Sequence, residues 1–261
     1  MDLTVVGCHG GETPKHRTSG FLLRGKGGHV AIDAGCITTG LTLKEQARLD
    51  AVLVSHAHMD HMKELATLAD NRCQVDAPPL AIVGIQTTID ILKKHFFNGL
   101  LWPDFSKIPS ARHPTIRYQV IPLETPTKIG GFEVTAVRVS HTIDAAAFIV
   151  RGSKGEGAVA YSGDTGPTER LWQVLNATPD LRAMLMEVSF PNARQKLATV
   201  SGHHTPQTLA KELLKLERRR EVPMFLYHIK PTFEREVVRE LAKIKNGVDL
   251  TILQLGDEFR L

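Results

Sequence analysis

Cysteine is scarce in this chain of 261 residues: Cys8, Cys36 and Cys73 are its only three, with no CxxC spacing. An odd, scattered set excludes a disulfide framework and fits a reducing compartment, so a cytoplasmic location is expected. Aromatic residues make up only 6%. No apolar run approaches the roughly 18–20 residues of a membrane span, so no membrane partner is expected. The start, MDLTVVGCHGG, breaks into glycines after a short apolar stretch and has no basic segment, unlike a signal peptide. Repeats, low-complexity tracts and Pro/Ser-rich linkers are missing too. With 42% hydrophobic and 23% charged residues, the chain reads as globular and long enough to bury a core without staples. What it has in abundance is histidine, twelve in all, beside a formal charge of +4 that favours an anionic partner.

Compact apolar runs at 3–6, 21–23, 30–32 and 51–54, bounded by Gly, Asp or Ser, read as strands. Ile85, Ile89, Leu92 and Phe96 then form one stripe of an amphipathic helix over 85–97. Strand-like stretches return at 116–122, 132–139, 146–150 and 159–161, followed by a helix over 168–176. Thr205 as N-cap and Pro206 at the first helical position open another helix, striped by Leu209, Leu213 and Leu216. A last helix follows Thr232, with Phe233, Val237, Leu241 and Ile244 as its stripe and Gly247 as its stop. The charge run KLERRRE (215–221) reads as a solvated helix end. The order of elements predicts an α/β fold of stacked sheets covered by helices, in one domain over 1–261.

The sharpest local feature is His56-Ala57-His58-Met59-Asp60-His61, directly after the apolar run 51–54. In a loop leaving a strand, His56 and His58 can point the same way, while Asp60 and His61 lie on the continuing turn toward a second ion. Imidazole and carboxylate together suit Zn²⁺, and also Mn²⁺ or Fe²⁺. Stacking such groups behind a buried strand is costly unless something pairs with them. Three further apolar runs end in a lone donor: His141, Asp164 and His228. Each alone reads as a capping or core-edge residue; together with the first cluster they supply the six or seven donors of a site for two ions.

HxHxDH, a later lone His, Gly-Asp-Thr-Gly and a late His resemble the metallo-β-lactamase fold superfamily. Within it, IDAG (32–35), WPDF (102–105), YSGDTGPT (161–168), EVSFPN (187–192), SGHHTP (201–206) and HIKP (228–231) resemble the class II cyclic-nucleotide phosphodiesterases. The resemblance implies a four-layer αββα sandwich and two divalent metal ions, Zn²⁺ first among them. One ion would be held by His56, His58 and His141, the other by Asp60, His61 and His228, with Asp164 bridging. It further implies hydrolysis of a 3′,5′-cyclic nucleotide (cAMP, cGMP or both) to the 5′-monophosphate by a water that the ions activate.

Asp60, besides ligating, is expected to orient that water. His203, in the H-x-T pattern before the helix start, is the candidate donor to the phosphoryl group or the leaving 3′ oxygen; His204 reads as a solvent-facing helix-entry residue. Phe97, Asn98 and Trp102, in the aromatic stretch with Phe96 and Phe105, are candidates for binding the base, with core packing or a dimer contact as the other reading. Thr205 is a further substrate-binding candidate. Arg17, Thr18 and Ser19 contact phosphate or close a loop, and Asp33 and Glu187 read as supports behind metal-binding histidines. His9, His16, His29, His95 and His113 read as surface or turn residues, although His9 and His16 flank the N-terminal turn.

The closest rival enzyme is a tRNA 3′-processing endonuclease, which shares HxHxDH and H-x-T and whose RNA would suit a basic protein. Such nucleases commonly carry a protruding arm between the lone His and the bridging Asp. Only 23 positions separate His141 from Asp164, too few for one. A non-catalytic superfamily member would have lost donors, and no donor position is missing. The expected partner is therefore a small cyclic nucleotide, with no stable nucleic-acid partner; a homodimer fits the superfamily, but no apolar stripe marks an interface.

Overall fold

The computed structural model describes residues 1–244 and 247–261. Its strands run in chain order as β1 (Asp2–Gly7), β2 (Gly20–Gly25), β3 (Gly28–Ile32), β4 (Ala51–Leu53), β5 (Leu80–Gly84) and β6 (Ile116–Val120). They continue as β7 (Thr127–Ile129), β8 (Phe132–Arg138), β9 (Ala146–Arg151), β10 (Ala158–Tyr161), β11 (Leu181–Glu187), β12 (Met224–Tyr227), β13 (Leu250–Ile252) and β14 (Glu258–Arg260). Two seven-stranded sheets result, ordered β14-β1-β2-β3-β4-β5-β6 and β13-β12-β11-β10-β9-β8-β7.

Both sheets change character half-way across. β1, β2 and β3 pair antiparallel, and from β3 to β6 the pairing is parallel. The second sheet repeats this: antiparallel from β7 to β10, parallel from β10 to β13. Parallel strands are covered on both faces, which is why their sequences read as unbroken apolar runs. Alternation along each strand divides them between layers. Val159, Tyr161, Phe225 and Tyr227 point into the core between the sheets, where they meet Phe21, Ile32 and Leu53 of the first sheet. Met184, Met186, Met224 and Leu226 point outward, against helical residues Leu171, Trp172, Leu209, Leu213 and Val237. On the opposite side Ala31, Val52 and Ile82 pack against Ile37, Leu65, Leu68, Ile89 and Leu92. The fold is thus an αββα sandwich, as the resemblance implies.

Several elements differ from the sequence reading. Two short helices, Ile37–Gly40 and Leu43–Ala47, follow β3 in a stretch that reads as strands and turns alone. The second is opened by a capping box in which Thr42 and Glu45 satisfy each other's backbone N–H groups. The helix over 85–97 is α-helical at Gln86–Ile91 and widens into a π-type turn at Leu92–Phe96, with Ile85, Ile89, Leu92 and Phe96 all buried as the stripe requires. The last helix spans Glu234–Leu241 and ends ahead of Gly247. The run 215–221 is a series of turns following the helix Pro206–Leu213, and its charges are anchored: Lys215 donates to Glu169 and Glu212, and Arg218 to the Thr178 carbonyl. Among the described residues no helix is long and apolar enough to cross a membrane.

One tie joins two helices of the second helical layer, Arg170–Asn176 and Pro206–Leu213. Trp172 is 1% exposed, and its indole N–H donates to Glu212 Oε2 at 2.8 Å, which also accepts from the Thr168 backbone. Trp172→Ala removes the largest buried side chain of this layer and one donor to a buried carboxylate. A loss of about 3–5 kcal/mol in unfolding free energy is expected from urea denaturation; a loss under about 1 kcal/mol would show that the layer is held elsewhere.

Candidate metal centre

Strand ends from both sheets converge on one pocket, the side on which open α/β sheets bind ligands. Asp33 follows β3, Ser55 and His56 leave β4, and Asp60 and His61 sit in the first turn of the short helix Met59–Met62. From the second sheet come His141 beyond β8, Asp164 beyond β10, Glu187 at the end of β11 and His228 beyond β12. The chain bends sharply at two of these points: Asp33 and His228 adopt left-handed backbone conformations, φ 57° and 70°.

The seven donors assemble as two adjoining groups. Donor atoms of His56, His58 and His141 lie within 4.8 Å of one another, as do those of Asp60, His61, Asp164 and His228. His58 Nδ1 is 3.1 Å from His56 Nε2 and 3.2 Å from His141 Nε2. Asp164 Oδ2 is 3.2 Å from both His61 Nε2 and His228 Nε2, and 3.8 Å from His56 Nε2, which sets this carboxylate between the groups. Asp60 Oδ2 lies 3.4 Å from His228 Nε2.

Behind the rings stand two fully buried carboxylates. Asp33 Oδ2 accepts from His61 Nδ1 at 2.7 Å and from the Ser55 hydroxyl at 2.8 Å, and Ser55 Oγ in turn lies 3.0 Å from His56 Nδ1. The Tyr161 hydroxyl donates to the same Asp33 oxygen at 2.6 Å. Glu187 repeats the device in the second sheet: its Oε1 is 3.1 Å from His203 Nδ1, and its Oε2 accepts from Ser189, whose Oγ lies 2.9 Å from His228 Nδ1. His141 Nδ1 faces the Gly202 carbonyl at 3.0 Å. Gly202 has φ 65° and a Cβ there would come within 3.0 Å of His141, so this seat needs glycine.

Residues 14–229 match a family model described as a Beta-lactamase superfamily domain. The chain belongs to this superfamily. A probable 3′,5′-cyclic-nucleotide phosphodiesterase of Yersinia pestis is 31% identical to it, with 97% of this chain and 85% of that protein covered. A 3′,5′-cyclic-nucleotide phosphodiesterase of Aliivibrio fischeri is 25% identical over 100% of this chain and 92% of its own length. Among solved structures, unliganded yeast PDE1 superposes with a TM-score of 0.84 at 19% identity, covering 100% of this chain and 99% of that one.

The superfamily fold implies divalent metal ions, and the donor set fits them. With each Nδ1–H of His61, His56 and His228 held from behind, the Nε2 lone pairs face one another and Asp164 across 3.2–3.8 Å. Lone pairs so placed repel unless a cation lies between them. Asp164 Oδ1 is buried and finds no hydrogen-bond partner. Burial works against charge at Asp164, yet the His228 and His61 imidazoles hold its carboxyl well below the usual carboxylate range. His61 is buried as well, but carboxylates at both ring nitrogens, Asp164 in front and Asp33 behind, raise its pKa well above normal. Burial and the neighbouring His61 push His56 well below. Carboxylates set among crowded, buried imidazoles suit resident cations.

His203 completes the rim. It is stacked on His228 with ring centroids 5.2 Å apart, stands 5.1 Å from the His141 ring, and has only a sliver of exposure. The other sequence candidates lie elsewhere. Phe97 is 1% exposed, packed among Phe96 and Tyr118 in the first helical layer, and has no face to offer a base. Asn98 spends its side chain on its own turn, accepting from the Leu100 and Leu101 backbone. Trp102 keeps an exposed face, but its indole N–H is tied to the Ala66 carbonyl. Thr205 is buried as the cap of its helix and donates to Gln195. His204 does not face solvent: it is fully buried, its Nδ1 is 3.2 Å from Thr208 Oγ1, and its Nε2 has no partner.

Sequence reasoning missed Ser55, Ser189 and Tyr161 as ring supports. Ser55 stands next to His56, but Ser189 lies between Val188 and Phe190, and nothing local marks either serine or Tyr161 as a support. Asp33→Asn replaces the carboxylate that orients His61 directly and His56 through Ser55 with an uncharged amide offering one acceptor oxygen instead of two. Metal affinity, measured by chelator competition, should fall about 10- to 100-fold; wild-type affinity would show that these rings need no carboxylate behind them.

Proposed function

We propose that residues 1–261 act as one hydrolase domain, a metal-dependent phosphodiesterase that opens 3′,5′-cyclic nucleotides to 5′-nucleoside monophosphates. The observation that carries the substrate class is the near full-length likeness to curated cyclic-nucleotide phosphodiesterases, joined to an undepleted donor set. His56, His58 and His141 would hold one divalent cation and Asp60, His61 and His228 the other, with Asp164 shared; Zn²⁺ is the ion we favour, Mn²⁺ and Fe²⁺ being served by the same donors. When bound, such a pair supplies Lewis acidity at the phosphoryl oxygens and lowers the pKa of a shared water.

The chain's own groups supply the rest. Asp60, with 30% of its side chain exposed and its Oδ2 3.4 Å from His228 Nε2, would orient the incoming water. The water gives up one proton to solvent and its oxygen bonds to phosphorus as the bond to the 3′ oxygen breaks. The 3′ oxygen takes up a proton, so the net change is the addition of one water. His203 is placed to give that proton from Nε2, because Glu187 holds Nδ1 and stabilises the imidazolium needed to donate. Burial lowers the His203 pKa, with Asp164 opposing, so the protonated ring depends on negative charge nearby; the substrate phosphate adds to it. The substrate is a small molecule in this reading, not a nucleic acid.

Metal-reconstituted protein should convert cAMP or cGMP to the 5′-monophosphate and leave pre-tRNA intact. Cleavage of pre-tRNA with cyclic mononucleotides untouched would replace this reading with the endonuclease one. His203→Ala should lower kcat about 10²- to 10⁴-fold with metal content unchanged. A near-normal kcat would remove the acid role.

A further inference from the structure

Two histidines that the reaction does not use meet a carboxylate on the far side of His228. The N-terminal turn carries His9 and His16, and Glu234 is the first residue of the helix Glu234–Leu241. Donor atoms of these three lie within 4.8 Å of one another. His16 Nε2 and Glu234 Oε2 are 3.3 Å apart, the spacing of two ligands on one tetrahedral ion, and the His9 and His16 rings meet edge-on at 4.6 Å.

The rings are seated as ligands are. His16 Nδ1 is held by Thr13 Oγ1 at 2.5 Å, and His9 Nδ1 lies 3.3 Å from the Arg17 carbonyl. This is the arrangement found behind His56, His61 and His228: one nitrogen fixed from behind and the other left to bind. Among the described residues His9 Nε2 has no protein partner. A void of about 10 Å³ borders His9 and Glu234 but not His16, and its other walls include Leu226, Ile229, Ile252 and Leu253.

We propose that His9, His16 and Glu234 form a third divalent-cation site, selective for a Zn²⁺-like ion and separate from the seven-residue centre. Its effect would be to pin the N-terminal turn to the C-terminal helix. The turn is already packed against the His228 segment: His9 bridges to Ile229, the His228 backbone N–H donates to the Cys8 carbonyl, and Gly10 lies so close beneath His228 that a Cβ would come within 2.3 Å of its backbone oxygen. The ion would thereby steady the strand end that presents His228.

The proposal is independent of the reaction assigned above, and its test counts metal rather than turnover. Full-length protein dialysed against Zn²⁺ and assayed by elemental analysis should hold three ions per chain. His16→Ala and Glu234→Gln should each hold two, while a chain altered at the main centre, Asp164→Ala, should still release an ion on adding His16→Ala. Equal zinc content in the wild type, His16→Ala and Glu234→Gln would overturn the site and leave an ordinary His16–Glu234 ion pair. Should His16→Ala fail to fold, the isosteric Glu234→Gln decides the matter by the same count.

Discussion

Two buried carboxylates, Asp33 and Glu187, set the geometry on which the pocket depends. Each stands at the end of a central parallel strand, holds one histidine directly and reaches a second through a serine: His61 and His56 for Asp33, His203 and His228 for Glu187. A neutral imidazole can present only one lone pair, and which nitrogen presents it is decided by what the other donates to. Fixing Nδ1–H toward the protein turns Nε2 inward in every case but His58. The result is a cavity whose walls are nitrogen lone pairs and one orphaned carboxylate oxygen, an arrangement unfavourable by itself and favourable around cations.

The fold explains how so few residues achieve this. Each sheet passes from antiparallel to parallel pairing, and its supporting carboxylate stands at the end of a parallel strand near that change, β3 in one and β11 in the other. Parallel strands buried on both faces leave their ends as the only places where polar groups can be set without breaking the apolar layers. The aromatic stack of Phe21, Tyr161 and Tyr227 forms the floor, and the Tyr161 hydroxyl ties that floor to Asp33. Burial costs at Glu187, whose carboxyl is pushed up to about 7, are offset by donors from Thr165, Ser189, His203 and His204.

Much of this was legible in the residues. Apolar strands ending in His or Asp reveal themselves by period and punctuation, so the candidate donors and a stacking of sheets under helices could be read from the chain. The four-layer sandwich and the division of the donors between two ions came from the family resemblance. What could not be read depends on contacts between distant segments. The helix start at Thr205 is visible locally, but the burial of His204 depends on its backbone N–H reaching Glu187, 17 positions away. Phe97 has the chemistry of a base-stacking residue, yet only packing against Tyr118 shows that it is spent on the core. Ser55 and Ser189 carry no local signal, because a serine at a strand end is commonplace until a histidine is found leaning on it.

The most direct test of the central claim is the location of metal by anomalous scattering in crystals of Zn²⁺-loaded protein. Two peaks about 3.5–4 Å apart are expected in the main pocket, with Asp164 between them and His56, His58 and His141 around one. A single ion in that pocket, or ions in that pocket held by residues other than the seven donors, would contradict it; a separate peak at His9, His16 and Glu234 bears only on the third site.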